Sequence, residues 1–151
     1  MTESTSKNKE FLDESSPSVQ AHLGILQGVI QRMATNSSQC KAWCITIVSA
    51  ILVIVADKSK PDYAWIALLP TILFLALDSY YLASGKGFRE SYNLFVVKIH
   101  GKGLFPSDLY SVKPAGDMKK HQIDSMKSFS VWGFYGGLVL LLIIARYVVL
   151  K

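Results

Sequence analysis

The chain has 151 residues, half of them apolar, and a formal net charge of +5. This is about the length of one domain, which argues against a multidomain protein. High apolar content and high charge are compatible when the apolar residues lie in blocks and the charges lie between them. This arrangement favours a membrane protein over a soluble helical bundle with an unusually apolar core.

The chain begins with a polar segment and a helix. Residues 1–17 are polar and of mixed charge and lack the apolar region of a cleavable signal peptide, so they are predicted to be a disordered tail. Pro17, among serines, then indicates a helix start. An apolar repeat with alternating steps of four and three residues follows at Val19, Leu23, Leu26, Ile30 and Met33. We expect an amphipathic helix over 18–41 that continues into a membrane span. The alternative is a helix lying on the membrane surface.

Three uncharged blocks predict three membrane spans. The third has eighteen uncharged residues between Lys127 and Arg146, close to the ~20 helical residues that a bilayer core of ~30 Å requires. The first two have fifteen uncharged residues each and are joined by six residues, as in a helical hairpin. Tryptophan and tyrosine residues near the ends of all three blocks are typical of membrane interfaces. The predicted spans are residues 42–56, 63–82 and 128–150.

The distribution of lysine and arginine predicts the orientation. Residues 1–41 and 83–127 together carry twelve, whereas the 57–62 turn and the C-terminal end carry four. Because basic residues concentrate on the cytoplasmic side, the N-terminus and the basic helix–loop–helix segment 83–127 are predicted to be cytoplasmic and the C-terminus periplasmic, in a bacterial inner membrane. The predicted fold is an all-α membrane protein with three transmembrane helices and long cytoplasmic helical extensions.

The sequence carries no signature of an enzyme or a cofactor site. It contains no phosphate-binding loop, nucleophile elbow or zinc-protease motif. Its three histidines are far apart, and Cys40 and Cys44 would need two further ligands to hold zinc. Small packing residues are the favoured interpretation of the two cysteines. We therefore expect a protein without enzymatic activity, cofactor or metal.

A polar stripe on the first helix predicts a water-filled path. Its polar members are the candidate pore-lining residues Thr35, Gln39, Thr46 and Ser49, which recur at helical spacing with Arg32, Ala42 and Val53. In lipid such groups prefer a protein interface or a water-filled cavity. Several copies with the stripe facing inward would enclose a pore. The alternative is a helix–helix packing face of small residues.

Two further features concern the spans. Asp78 lies near the inner end of the second span and needs a partner or water. Lys41 and Lys127 are the candidate partners, and the residue is either half of a structural ion pair or part of the ion path. Gly133 and Gly137 have the G-x-x-x-G spacing that allows close helix approach. With the apolar repeat of the first helix, this spacing predicts a homo-oligomer.

Segment 83–127 is a candidate binding region, with eight basic residues against four acidic ones. The candidate ligand-binding residues are Lys102, Lys113, Lys119 and Lys120. Two Gly-Lys-Gly triplets, at 85–87 and 101–103, add backbone freedom to a cation. Single-stranded nucleic acid and anionic membrane lipid would both be attracted to such a segment. The cytoplasmic bias in basic residues would by itself also produce this charge.

The order of these elements resembles a known family. A cytoplasmic helix precedes Trp43–Asp57 (WCITIVSAILVIVAD), Pro61–Tyr81 (PDYAWIALLPTILFLALDSYY) and Arg89–Tyr92 (RESY). This pattern resembles the SLATT class of small bacterial membrane effectors over roughly residues 18–100, and the third span looks like an addition to a two-span core. The resemblance implies a pore-forming effector of anti-phage defence without catalytic residues. It also implies control by a partner enzyme or a nucleotide-type signal. Hailong-type channel effectors, controlled by DNA oligomers from a companion nucleotidyltransferase, are an example.

Two functions from different classes follow from these features. One is an oligomeric channel effector gated from the cytoplasm, and the other is a non-conducting membrane anchor or adaptor that recruits a soluble partner through 83–127. A membrane-bound enzyme finds no support in any motif. The polar stripe favours the channel, because a helix that only anchors has no need of it.

Overall fold

A computed structural model describes residues 12–58 and 60–149 of the protein, and within these ranges it contains helices and no strand. The four α-helices are α1 (Pro17–Asp57), α2 (Leu68–His100), α3 (Met118–Met126) and α4 (Phe129–Ile144). Short 3-10 helices cover Pro61–Ala67 and Pro106–Asp108, and a π-helical turn covers Ala145–Val149.

Three helical stretches are long and apolar enough to cross a membrane, namely Pro17–Asp57, Pro61–His100 and Phe129–Val148. This confirms the predicted all-helical architecture with three helices of membrane-spanning length within the described part of the chain. The α1 helix has 41 residues and is therefore about 60 Å long at 1.5 Å per residue. A bilayer core is ~30 Å thick, so about half of α1 extends beyond a membrane that it crosses upright.

The second apolar stretch begins as a 3-10 helix, where the sequence predicts a span starting at residue 63. Pro70 explains the irregular start. Proline has no backbone N–H, and its ring collides with the carbonyl group four residues earlier, here Ile66. The tighter 3-10 geometry over Pro61–Ala67 removes this conflict, and regular α-helix begins at Leu68.

The helices pack around two apolar clusters. The first joins α1, α4 and the 3-10 helix Pro61–Ala67. Its buried residues are Cys44, Val48, Ala67, Val131, Tyr135, Leu138 and Leu142. The second, at the other end of the molecule, consists of Val19, Leu26, Phe95 and Leu104. The apolar repeat of the first helix lies on this inner face. Val19 and Leu26 are buried against α2 of the same chain, so the repeat is not an argument for pairing between copies.

The loop 101–117 folds back over the N-terminal end of α1 and the C-terminal end of α2. We call this end of the molecule the head. Leu104 is fully buried, and the backbone N–H of Ala115 donates to the carbonyl oxygen of Gly87 at 3.1 Å. Residues 1–11 of the predicted disordered tail lie outside the described residues. From Leu12 the chain is docked on the loop, since the Leu12 N–H donates to the Leu104 carbonyl oxygen at 3.3 Å.

Candidate functional site

A buried ion pair joins α1 and α2 at the middle of the molecule. Asp78 on α2 is fully buried, and its carboxylate accepts from Lys41 Nζ at 2.5 Å and from Ser37 Oγ at 2.5 Å. Ser37 and Lys41 are one helical turn apart on α1 and therefore present the same face to α2. Of the two partners predicted for Asp78, Lys41 is the one in contact.

The third span covers this ion pair. The Phe134 ring of α4 lies 6.0 Å from Lys41 Nζ, within the range of a cation–π contact. The neighbouring Tyr135 is buried, and its hydroxyl donates to the Phe74 carbonyl oxygen of α2 at 3.0 Å. These contacts form a polar centre that links all three spans. They also supply the partners that a buried charge requires.

The polar stripe of α1 lies on the opposite side of that helix. Thr35, Gln39, Thr46 and Ser49 are all exposed. The buried face of α1 contains Cys44, and at 100° per residue the stripe lies roughly opposite. The structure therefore separates Asp78 from the four other residues that were predicted to line the same path. Asp78 stabilises contacts between helices within one chain. The stripe residues Thr35, Gln39 and Thr46 are exposed, and Ser49 borders a groove beside α4.

A groove separates α1 from α4 and contains the predicted glycine pair. This cavity of about 580 Å³ is lined by Ile45, Val48, Ser49, Leu52, Gly133, Phe134, Gly137, Leu138, Leu141 and Leu142. A Cβ atom on Gly133 would lie 3.1 Å from the ring of Phe129, an exposed side chain of the same helix. A Cβ atom on Gly137 would meet nothing within 4 Å. Gly137 is thus open to a neighbouring molecule.

The structure does not bring the four predicted ligand-binding lysines together. Lys102 follows the end of α2 in the left-handed conformation, with a φ of 49°, and Lys119 and Lys120 are exposed at the start of α3. The Lys113 carbonyl oxygen accepts from Ser91 Oγ at 2.6 Å. Ser91 and the end of α2 are about 15 Å apart at 1.5 Å per residue. Lys113 and Lys102 therefore lie at different levels of the head.

The Gly-Lys-Gly triplet at 85–87 has a packing role. It lies inside α2 rather than in a loop. A Cβ atom on Gly87 would come within 2.8 Å of the Pro114 Cβ atom and 3.2 Å of the Ala115 carbonyl oxygen. Glycine at this position therefore allows the 101–117 loop to lie directly on the helix backbone.

The head contains a cavity that the sequence analysis missed. Its volume is about 280 Å³, and it is lined by His22, Leu26, Ser91, Leu94, Phe95, Lys98, Ser107, Asp108, Ser111, Lys113 and Ala115. His22 is only 2% exposed. Its Nδ1 accepts from the backbone N–H of Tyr110 at 2.9 Å, and its ring centroid lies 4.3 Å from that of Phe95. The available signal was the place of His22 within the apolar repeat, three residues after Val19 and four before Leu26.

An ion pair closes one side of this cavity. Lys98 Nζ lies 2.8 Å from Asp108 Oδ1, and the Phe105 N–H donates to the second carboxylate oxygen at 3.1 Å. These two hydrogen bonds, that from Lys98 first, hold the pKa of Asp108 below its ordinary value. Asp108 thereby fixes the loop to α2 with its negative charge already neutralised.

No protein-family model, curated protein or solved structure matches this chain. The resemblance to the SLATT class therefore stays a prediction from the sequence. What can be said of function has to come from the polar centre, the exposed stripe and the head cavity.

The buried imidazole predicts a pH-dependent stability. Burial lowers the pKa of His22, so the unfolded chain takes up a proton near pH 6.5 while the folded chain stays neutral. The contribution of His22 to stability is thus complete above about pH 6.5 and falls as the pH drops towards the folded-state pKa. A protonated ring would also lose the Tyr110 bond and add a cation beside Lys98 and Lys113, against the single carboxylate of Asp108.

Thermal unfolding in detergent at about pH 7.5 and about pH 5.5 measures this effect. We expect the midpoint of the wild type to fall more steeply with pH than that of a His22→Gln variant, which cannot titrate. The quantity compared is the change of the unfolding midpoint with pH in each protein. The midpoints themselves are not compared, because the variant also loses packing contacts. Equal slopes would contradict the assignment of a neutral His22.

Proposed function

We propose that the protein is an oligomeric, channel-forming membrane effector of bacterial anti-phage defence. Its gate is controlled from the cytoplasmic side by a nucleotide or oligonucleotide signal, or by a partner enzyme such as a nucleotidyltransferase. The observation that carries the proposal is the exposure of Thr35, Gln39, Thr46 and Ser49 on the side of α1 roughly opposite its buried face.

Lipid contact is unfavourable for this face. The Thr46 hydroxyl is satisfied by its own helix, since it donates to the Ala42 carbonyl oxygen at 2.9 Å. Ser49 lies inside the predicted span 42–56 and is exposed, and its hydroxyl has no such bond within the described part of the chain. An unsatisfied hydroxyl in hydrocarbon costs several kcal/mol. Three spans of one chain are too few to enclose water. If several copies assemble with their stripes facing a shared axis, water can fill the space between them. The stripes then line a water-filled path.

The proposed orientation places the head in the cytoplasm and the C-terminus in the periplasm of a bacterial inner membrane. The basic residues of 83–127 then lie on the side where such residues concentrate. At the periplasmic border, Arg146 pairs with Asp62 at 2.5 Å and links the end of the third span to the turn between the first two. The head is then positioned to receive a cytoplasmic signal.

The alternative is a non-conducting anchor or adaptor. The observation that favours it is the head itself, which presents exposed basic residues that would bind a soluble partner. The two functions differ in conductance and in their dependence on the stripe. An anchor passes no current, and changes to the stripe leave its recruitment intact.

Substitution of the stripe tests the proposed path. Thr46→Leu and Ser49→Leu replace water-facing hydroxyls by apolar bulk and favour a dewetted constriction. We expect each to reduce the single-channel current of reconstituted protein at least about tenfold, with expression and assembly unchanged. Ile54→Leu, at an exposed apolar position of α1, is the control and should conduct normally. Unchanged conductance in both stripe variants would move the path to another helix.

Two adjacent glycines allow a matched test of assembly. A Cβ atom at Gly136 or Gly137 would meet nothing within 4 Å among the described residues, so we expect the monomer to accept isoleucine at either position. Only Gly137 lies in the groove between α1 and α4. Gly137→Ile should shift the oligomer measured by mass in detergent towards monomer, whereas Gly136→Ile should leave it unchanged. A monodisperse wild-type monomer would remove the pore altogether.

A further inference from the structure

The head cavity contains hydrogen-bond donors that the protein itself does not use. Lys113 forms no ion pair in the described part of the chain. The hydroxyl groups of Ser107 and Ser111 also line the cavity and have no bond to any described residue. These groups come from a single loop whose conformation is fixed by Asp108 and His22. The loop backbone that carries these donors is therefore held in place before any ligand arrives.

His22 adds a ring N–H donor to this set. Its Nδ1 accepts from the Tyr110 N–H, so in the neutral ring the proton is on Nε2. This Nε2–H has no hydrogen-bond partner among residues 12–58 and 60–149, although the residue is only 2% exposed and lines the cavity. A ligand acceptor in the cavity would supply a partner for this N–H.

The charge and the walls of the cavity define the ligand. The charged residues that line the cavity are Lys98, Lys113 and Asp108. Lys98 pairs with Asp108, so the positive charge of Lys113 remains unbalanced. The lining also includes the apolar residues Leu26, Leu94 and Phe95. A volume of about 280 Å³ is just below the range of about 300–1,000 Å³ for small-molecule sites. This combination suits one anionic group on a small organic body.

We propose that this cavity binds a small organic phosphate of about the size of a nucleoside monophosphate. Its phosphate oxygens accept from Lys113, Ser111 and His22, and its organic part lies on Leu26 and Leu94. The exposed Lys102, Lys119 and Lys120 take no part. The binding is independent of whether the protein conducts.

The place of the cavity couples it to the spans, and this step rests on the proposed function. Ser91 and Lys98 line the cavity on α2, and the same uninterrupted helix holds Asp78 in the polar centre. A ligand that binds one arrangement of α1 and α2 more tightly than another shifts the population between them. Conductance and binding are measured separately, so that failure of one does not count against the other.

Calorimetric titration of the full-length protein in detergent tests the site. The probes are AMP, CMP and glucose 6-phosphate, with inorganic phosphate and adenosine as partial ligands. At least one organic phosphate should bind at least about tenfold more tightly than either partial ligand. Binding of no organic phosphate, or equal binding of inorganic phosphate, would overturn the proposal.

Matched charge variants locate the site. Lys113→Gln should weaken binding of the tightest probe about tenfold and Ser111→Ala about threefold, because both side chains lie on the exposed loop and their loss does not threaten the fold. Lys119→Gln removes the same charge outside the cavity and should change affinity less than about twofold. If Lys119→Gln weakens binding as much as Lys113→Gln does, the segment is a diffuse surface for polyanions such as oligonucleotides, and the cavity proposal fails.

Discussion

An Asp78→Leu variant is expected to lose about 3 kcal/mol of its free energy of unfolding in detergent, because it leaves Lys41 without a counter-charge between α1 and α2. The Lys41 side chain is 19% exposed and Asp78 is fully buried, so part of the lysine cost is relieved by solvent. Ser37 also loses the acceptor of its 2.5 Å hydrogen bond. Urea or mixed-micelle unfolding, followed by circular dichroism, measures the loss.

Two further variants identify the cause. Asp57 is 76% exposed and its pair with Lys58 spans 3.8 Å, so Asp57→Leu should cost less than about 1 kcal/mol. A double variant, Lys41→Met with Asp78→Leu, replaces the whole pair by apolar side chains and should recover most of the loss. A single Asp78→Leu variant as stable as the Asp57→Leu variant would show that the polar centre does not hold the spans together.

Gly116→Val is expected to release the 101–117 loop from α2. Gly116 has a φ of 79°, a conformation that costs a side-chain-bearing residue about 1–2 kcal/mol and a β-branched one more. A Cβ atom here would also overlap the Glu90 carboxylate and the His121 ring, which are paired at 3.0 Å. Glu90 is 44% exposed and can turn away from the new side chain, but its ion pair with His121 is then lost. Hydrogen exchange of the loop amides should rise by about two orders of magnitude.

A second glycine of the same loop is the control. Gly103 has open space around its Cβ position, so Gly103→Val adds the same side chain without overlap. Its loop amides should exchange nearly as in the wild type. If the loop amides exchange equally fast in both variants, the close packing of Gly116 against Glu90 and His121 is not what holds the loop on α2.

The sequence was sufficient for the elements whose signal is local. An apolar run of about 20 residues is read from consecutive positions, so the three helices of membrane-spanning length were predicted. Asp78 was recognised because a carboxylate in an apolar stretch needs a partner, and Lys41 was one of two candidates. The sequence left open whether Asp78 forms such an ion pair inside the chain or lines the path with the stripe. Which side of α1 contacts α2 depends on packing between distant segments.

The head cavity was missed because its contacts are not local. His22 and Tyr110 are separated by 88 residues. A histidine in an apolar repeat gives no sign of which backbone N–H will donate a hydrogen bond to it. Gly87 was read as part of a flexible cation-bearing triplet, whereas its role is to let Pro114 and Ala115 approach the helix. Both errors come from a loop that closes on α2, which no pattern of spacing predicts.

Single-channel recording of the purified protein in a planar bilayer tests the central proposal most directly. The protein is first shown to be inserted and oligomeric, and current is recorded with and without AMP and oligonucleotides on the side of the head. The proposal predicts discrete current steps in at least one of these conditions, and their loss in the Thr46→Leu variant. An inserted oligomer that passes no current in any of them would contradict a channel and favour the anchor.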